Sequence, residues 1–477
     1  MSLDINNEAL DEISSQAAKL VAEYFTHIAE RPVMAPNHAG KTKSLMNVEL
    51  PIEGRPLDQL LDECRTVMDL SRHNGHPRFF GYVASPSTPI GAYADLIASA
   101  LNANVTCWRS GPAGTEIEQL VVRWLGSLIH YDENAKGLLT SGGSMANMIA
   151  LLIASRRNNP EASRKGLWNA GPPMTIYASE EVHMSIPKAA DILGFGRENV
   201  RTIACDARRR MRVENLRQSI QADRKTGFTP ICVVGSAGTV NTGAIDPLDE
   251  IAEVAREFNL WFHVDGAYGA PGAMDHSKKD LFAGLERADS VSLDPHKWLY
   301  VPVDAGCLLF RDAVAAAVFT EDAAYIQTHG LADDAAFAYW DYGVELSRRF
   351  RALKVWLTLG YYGARRMAEA VSKDISLAAY LGELVTKADD FELLAPVELS
   401  ICCFRYVPKD TNESDLNQLN EQIMSAVQKG GRAYLSNATV NGKFALRACI
   451  TNFRTAKADI QQTIEVVREA AKQLGHG

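Results

Sequence analysis

The chain has 477 residues, 47% of them hydrophobic, and a formal net charge of −9, the make-up of a globular enzyme of two to four domains with no electrostatic footprint for nucleic acid. No apolar run reaches the roughly 20 residues of a membrane span, and "MSLDINNEAL" lacks the basic start and apolar centre of a signal peptide. The expectation is a cytoplasmic protein with neither a nucleic-acid nor a membrane partner.

From Asn6 to Ile28, the residues Leu10, Ile13, Leu20, Val21, Tyr24, Phe25 and Ile28 share one helical face, and "ERPVMAP" ends the helix with prolines. Such an arm must bury its stripe on something. Gly40-Lys41-Thr42 imitates the end of a nucleotide-binding P-loop, but position 35 is Ala where that motif needs Gly and no strand precedes it. From about Ala92 to Asp312, apolar runs alternate with helical patterns: "GLLT", "MTIYAS", "VRTIAC", "PICVVGS", "LWFHVD", "SVSLD" and "AGCLLF". That alternation predicts a mostly parallel sheet wrapped by helices. Arg208-Arg209-Arg210 reads as a solvated turn. Beyond about Leu357 come a long helix and the strands "LSICCFRYV" and "KFALRACIT", the pattern of a small α+β domain. The expected organisation is an N-terminal helical segment or dimer arm (1–91), a large domain (92–356) and a small C-terminal domain (357–477). The eight cysteines lack metal-ligand spacing and mostly sit in apolar strings, so reduced core residues and no metal are expected.

In a parallel α/β sheet, ligands bind outside the carboxyl ends of the strands. There the chain places Ser141-Gly142-Gly143-Ser144, His183, Gly238-Thr239, Asp265 and His296-Lys297. Glycines at a strand-to-helix junction let backbone N–H groups approach an anion, and a phosphate fits. Taken alone, the same string is an ordinary small-residue turn, and it lacks the last glycine of a nucleophile elbow. Asp265 lies in the apolar string "WFHVDGAY", where a carboxylate needs a cation or strong donor, and a protonated pyridine nitrogen would serve. Lys297 ends the next apolar strand, where a neutral amine can condense with an aldehyde. Phosphate cradle, buried Asp and strand-end Lys together describe pyridoxal 5'-phosphate.

"TSGGSMANMIAL", "HVDGAYGA" and "DPHKWLYVP", with "HPRFFGY", "GPAGTEIE" and "RRFRALKVW" on either side, resemble the group II pyridoxal-phosphate-dependent amino-acid decarboxylases, the family of aromatic-L-amino-acid, histidine and glutamate decarboxylases. The resemblance covers nearly the whole chain. It implies fold type I, the aspartate-aminotransferase-like fold of pyridoxal-phosphate enzymes, with a mostly parallel seven-stranded sheet flanked by helices on both faces. It further implies a homodimer with sites at the subunit interface. Lys297 would carry the cofactor's aldehyde, Asp265 would meet the pyridine nitrogen and His183 would stack on the ring. Gly143 and Ser144 would hold the phosphate, with Thr239, Ala267 and His296 around the cofactor. Asp294 stands where animal enzymes have Asn, and because it would repel a phosphate no such role is carried onto it.

The stretch "THGLADDAAFAYWDYGVELSRRF" reads as a mobile loop. By resemblance a loop tyrosine upstream of Arg348-Arg349-Phe350 protonates the carbanion left by decarboxylation. An ungapped count nominates Tyr339, and a small slip nominates Tyr342. The family's oxygen-using aldehyde synthases often carry Phe there or a replaced ring-stacking histidine, so Tyr339 and His183 favour a simple decarboxylase. Tyr82, Val83, Ser85 and Thr106, with Trp108, match positions lining the family's side-chain pocket. The aromatic and apolar groups suit a ring, Ser85 and Thr106 could hydrogen-bond a hydroxyl or a more polar group, and Thr106 stands where the animal enzymes have Phe, which weakens the aromatic assignment. Arg447 either binds a substrate carboxylate or holds the small domain, and the second reading is favoured. The expected reaction is decarboxylation of an L-amino acid, aromatic in the first instance, to the amine and carbon dioxide. The alternatives are aldehyde synthesis and a non-aromatic substrate.

Overall fold

The computed structural model of the chain describes residues 3–35, 38–167, 171–320, 337–409 and 411–476. In chain order the strands are β1 (Phe79–Phe80), β2 (Lys136–Thr140), β3 (Met174–Ser179), β4 (Val200–Ile203), β5 (Thr229–Ser236) and β6 (Trp261–Asp265). They continue with β7 (Ser290–Leu293), β8 (Gly306–Phe310), β9 (Phe391–Leu393), β10 (Ile401–Tyr406), β11 (Tyr434–Val440) and β12 (Lys443–Cys449). The larger sheet has seven strands in the order β2-β8-β7-β6-β5-β3-β4. All run parallel except β8, which is antiparallel to both β2 and β7.

Every residue of β3, β6, β7 and β8 is buried, as continuous apolar runs covered on both faces must be. The helix Gly143–Asn158 lies against β5 to β8, and Leu248–Phe258 lies against β5 and β6. This is the mostly parallel, helix-covered sheet expected of fold type I, and its carboxyl ends are where the chemistry-bearing residues collect.

The smaller sheet has the order β1-β11-β12-β10-β9. Its β10 and β12 were legible as apolar strings, whereas β9, β11 and the two-residue β1 were not. β1 comes from the N-terminal segment yet pairs parallel with β11, and Phe79 and Phe80 are buried there. The helix Ala352–Lys387, broken at Gly363 where φ is +74°, passes from one core to the other. Its Val371 and Ile375 pack with the large sheet, and its Leu381 and Val385 with the small one. The expected boundary near 357 therefore falls inside a helix that serves both cores.

The N-terminal helix Asn7–His27 starts where the Asn6 side chain accepts from the Ala9 N–H at 2.8 Å. None of its residues is fully buried, and Leu10 and Ile13 stay exposed. Only that first part of the stripe is uncovered among the described residues: Leu20, Val21, Tyr24 and Phe25 are half-buried, the Tyr24 hydroxyl lying 3.2 Å from His73 Nδ1, and Ile28 is buried. Gly40-Lys41-Thr42 lies within the helix His38–Leu45 rather than in a phosphate-binding loop. The arginine cluster is not a freely solvated turn: Arg208 donates to Glu398 at 2.6 Å, Arg209 pairs with Glu181, and Arg210 donates to Asp206 at 2.9 Å. Those bonds tie the turn to the small domain through Glu398. Six of the cysteines are buried, but Cys64 is exposed and Cys205 half-buried; all eight are unpaired.

Of the stretch expected to be a mobile loop, 328–336 lies outside the described residues, and 337–350 is firmly held. Ala338 bridges to Cys107, and the Tyr339 N–H donates to the Thr106 carbonyl at 2.8 Å. Arg348, almost wholly buried, donates to Glu118 at 2.6 Å, to the Leu139 carbonyl at 2.7 Å and to the Val105 carbonyl at 2.7 Å. The stretches "GPAGTEIE" and "RRFRALKVW" are thus joined by a buried ion pair.

Candidate active site

Outside the carboxyl ends of β5, β6 and β7 lies a cavity of about 550 Å³, a size ordinary for a small-molecule or cofactor site. Gly143, Ser144, His183, Thr239, Asp265, Ala267, His296 and Lys297 line it, and so do Tyr82 and Val83. The parallel topology alone accounts for this convergence, since each strand or the turn after it delivers its residue at the same end of the sheet.

At the start of the helix Gly143–Asn158, the N–H groups of Met145 and Ala146 both donate to the Gly142 carbonyl. Those of Gly143 and Ser144 have no acceptor within the helix, as the first turn of any helix requires, and the helix field favours an anion there. A Cβ at position 143 would stand 2.7 Å from Ala267 Cβ and 3.0 Å from Asp294 Oδ2. Only glycine lets this turn approach so closely.

Lys297 Nζ is 2.9 Å from Asp294 Oδ2. Burial pushes its pKa down, but the carboxylates of Asp294 and Asp265 outweigh burial and hold it above the ordinary lysine value. Lys297 is thus held as one member of an ion pair with Asp294. Asp294 is 1% exposed and its Oδ1 has no partner. His296 stands on its other side at 3.7 Å; its Nδ1 accepts from the Ala305 N–H, and burial lowers its pKa.

Asp265 ends β6 and accepts from Ser292 Oγ and the Ala267 N–H at Oδ1, both at 3.2 Å, and from Asn147 Nδ2 at Oδ2, at 2.9 Å. These three donors hold an ionised carboxylate in an apolar setting. The His183 pKa is lowered, chiefly by burial; Asp265 opposes the shift and Lys297 adds to it. Its ring is a neutral, largely apolar surface at the cavity wall.

Three residues expected at the site stand elsewhere in this chain. Ser85 donates to the His296 carbonyl at 3.2 Å and lines a separate, smaller cavity. Thr106 is buried against the Tyr339 backbone. Tyr339 is wholly buried, with its hydroxyl 3.4 Å from the Thr115 carbonyl and its ring under the Arg348 guanidinium at 4.0 Å. Tyr339 does not line the cavity of this chain. Tyr342 does no better, packing between Phe310 and Phe337, and Trp108 donates to Glu116.

Conversely, the cavity includes Asn147, Tyr268 and Ser436, which sequence reasoning passed over. Asn147 sits inside the quoted "TSGGSMANMIAL", but an amide in a helix carries no local sign of what it meets. Arg447 both lines the cavity and clamps the small domain: Nη1 donates to the Tyr82 carbonyl at 2.7 Å, Nε donates to the Asn241 carbonyl at 3.2 Å, and Nη2 is buried without a partner.

The donor set fits pyridoxal phosphate: an anion cradle closed to any side chain, a held carboxylate for a protonated ring nitrogen, a lysine for the aldehyde and a flat imidazole wall. Comparison with known proteins agrees. The chain is 32% identical to an aromatic-L-amino-acid decarboxylase of Bacillus atrophaeus, over 99% of this chain and 98% of that one. It is 29% identical to a phenylacetaldehyde synthase of a Rosa hybrid cultivar, over 95% and 92%. The crystal structure of Oryza sativa TDC with PLP and tryptamine superposes with a TM-score of 0.91 at 27% identity, covering 99% of this chain and 100% of that one. The sequence model of the pyridoxal-dependent decarboxylase conserved domain matches residues 39–407, and the chain belongs to the pyridoxal-dependent decarboxylase family.

Proposed function

We propose that this pyridoxal-phosphate-dependent amino-acid decarboxylase acts on an aromatic L-amino acid, releasing carbon dioxide and the amine, and works in the cytoplasm as a homodimer. The observation that carries the reading is the single cavity shared by Lys297, Asp265, His183 and the Gly143-Ser144 turn. Bound there, pyridoxal phosphate supplies an electron-poor pyridinium ring that accepts the electron pair left when carbon dioxide departs. Asp265, fixed by three donors, would hold the proton on the ring nitrogen. Lys297, paired with Asp294, would supply the amine for the cofactor's aldehyde. The free N–H groups of Gly143 and Ser144 hold the phosphate, with Thr239, Ala267 and His296 beside them. His183 covers the ring and excludes water.

Tyr82 and Val83 give the cavity an apolar, ring-sized wall, and the similar proteins named above include an aromatic decarboxylase. The unpartnered Nη2 of Arg447 is the donor best placed for a substrate carboxylate. The uncovered stripe of Leu10 and Ile13 supports a dimer, and eight unpaired cysteines support a reducing compartment.

Aldehyde synthesis is the second reading, favoured by one observation: with Tyr339 buried away from the cavity, His183 is the one remaining residue that argued against it. Mass spectrometry of products, after incubating holoenzyme in air with aromatic, acidic and basic L-amino acids, decides between them. Amine and carbon dioxide from an aromatic substrate are expected. Aldehyde with ammonia and peroxide would replace the reading by aldehyde synthesis, and turnover of acidic substrates alone would move Arg447 to the side-chain site.

A further inference from the structure

Behind the cavity wall, one buried chain of polar groups joins four strands and helices. Trp261 Nε1 lies 2.8 Å from Ser290 Oγ, which lies 2.9 Å from His263 Nδ1. His263 Nε2 lies 2.9 Å from Asn147 Oδ1. Asn147 Nδ2 lies 2.9 Å from both Asp265 Oδ2 and Ser185 Oγ, and Ser185 Oγ lies 2.9 Å from His183 Nδ1. Asn147 and His263 are at most 1% exposed, and Ser290 is fully buried.

The proton positions in this chain follow from its fixed ends. An indole N–H can only donate, so Ser290 Oγ accepts from Trp261, and its own hydrogen is free for His263 Nδ1, the nitrogen left unprotonated once Nε2 donates to Asn147 Oδ1. His263 then carries its proton on Nε2 and donates to Asn147 Oδ1. At the other end a carboxylate can only accept, so the Asn147 amide presents its nitrogen to Asp265, which agrees with its oxygen facing His263. The second Nδ2 hydrogen goes to Ser185 Oγ, and the Ser185 hydroxyl has one acceptor left, His183 Nδ1. The Ser185 backbone N–H approaches the same nitrogen at 3.3 Å. Burial, outweighing the pull of Asp265, holds His263 well below its ordinary pKa, so this link stays neutral.

We infer that Asn147 is a positioning residue that, through Ser185, locks His183 as the Nε2–H tautomer while aiming Asp265 at the cavity. His183 Nδ1 is occupied from behind, so the only ring nitrogen it can offer a ligand is a donor. On the reading of the site proposed above, its partner is an acceptor such as a substrate carboxylate oxygen. A single amide thus couples the residue that would cover the cofactor to the carboxylate that would face its ring nitrogen.

The test is nitrogen-15 NMR of imidazole-labelled protein without cofactor, with His183 assigned by His183→Gln. These signals stand whatever product the enzyme makes, so failure of the relay is separable from failure of the decarboxylase reading. Native protein is expected to show a protonated Nε2 and an unprotonated Nδ1 for His183. Asn147→Leu and Ser185→Ala are each expected to move both signals toward the average of the two tautomers. They are also expected to raise the His183 pKa by on the order of one unit, because a hydrogen bond to the neutral form is lost. A native His183 protonated on Nδ1 would overturn the inference, and so would folded variants with unchanged His183 signals and pKa. If Asn147→Leu does not fold, Ser185→Ala decides alone.

Discussion

The carboxyl ends of β5 to β7 and the junction where residues 105–108 meet 337–348 are built from similar materials: buried charges, an aromatic wall and backbone groups taken up by side chains. They differ in where the charges face. At the strand ends Lys297 and Asp294 are paired at the edge of a 550 Å³ cavity. At the junction Arg348 and Glu118 are paired at 2.6 Å beside a void of only about 10 Å³, and the guanidinium's remaining donors hold the Leu139 and Val105 carbonyls. The same ion-pair chemistry leaves a group facing open space in the first place and forms a structural clamp in the second.

The largest effect expected on the reactive side is that of Lys297→Ala. Loss of both the attachment point and the proton-handling amine should lower turnover by on the order of a thousandfold or more, and added pyridoxal phosphate should no longer develop the visible absorption it shows with native protein. Stability should fall as well, because Asp294, 1% exposed, loses the cation paired with it. A variant that retained full turnover would remove the chemical half of the comparison.

On the structural side, Arg348→Met leaves Glu118 as an unpaired buried charge. The expected cost is about 3–5 kcal/mol, read as a lower urea midpoint at unchanged slope. The double variant Arg348→Met with Glu118→Leu should recover much of that loss, since a buried pair replaced by apolar groups is often near neutral. Failure to recover would mean the carbonyls of Val105 and Leu139 matter more than the charge.

This contrast also explains what the sequence could and could not reveal. Strand-end residues were legible because a parallel sheet brings the ends of separate apolar runs to one edge, whatever the loops do, so Asp265, His183 and Lys297 converge by topology. Tyr339, Thr106 and Ser85 sit in connecting segments, whose positions depend on pairings far along the chain, such as Ala338 with Cys107. An ungapped count along a loop carries no information about those pairings. Asn147 and β1 were missed for the same reason: an amide inside a helix and a two-residue strand acquire their roles from partners far along the chain, such as His263 for Asn147 and Tyr434 for Phe79.

A further buried carboxyl group, bonded to residues that follow Lys297, gives a pH signature. Asp374, on the helix Ala352–Lys387, accepts from Trp298 Nε1 at 3.0 Å and from the Tyr300 hydroxyl at 2.7 Å, the residues that follow Lys297. Burial raises its pKa to about 7, and those two donors only partly oppose the shift. Between about pH 4 and 7 the folded state therefore keeps a proton that the unfolded chain has released, so stability falls as pH rises through that window and levels off above it. Asp374→Asn lacks this proton exchange. The stability of native protein minus that of Asp374→Asn should decline across the window by on the order of 2–4 kcal/mol, and a difference independent of pH would show that Asp374 is already ionised when folded.

The smallest effect is expected from Tyr339→Phe, and it tests the boundary between the two regions most sharply. The hydroxyl lies 3.4 Å from its acceptor, a long contact, while the ring stacked under Arg348 survives the change. The loss should stay below about 1 kcal/mol, with the ratio of amine to aldehyde unchanged. The segment 321–336, outside the described residues, contains one further tyrosine, Tyr325, so Tyr325→Phe is the companion variant. A product shift with Tyr325→Phe alone would keep the junction structural and move the search for the proton donor into that segment. A shift with Tyr339→Phe would mean that a ring wholly enclosed here leaves its place during turnover, and the junction would then belong to the chemistry rather than to the clamp.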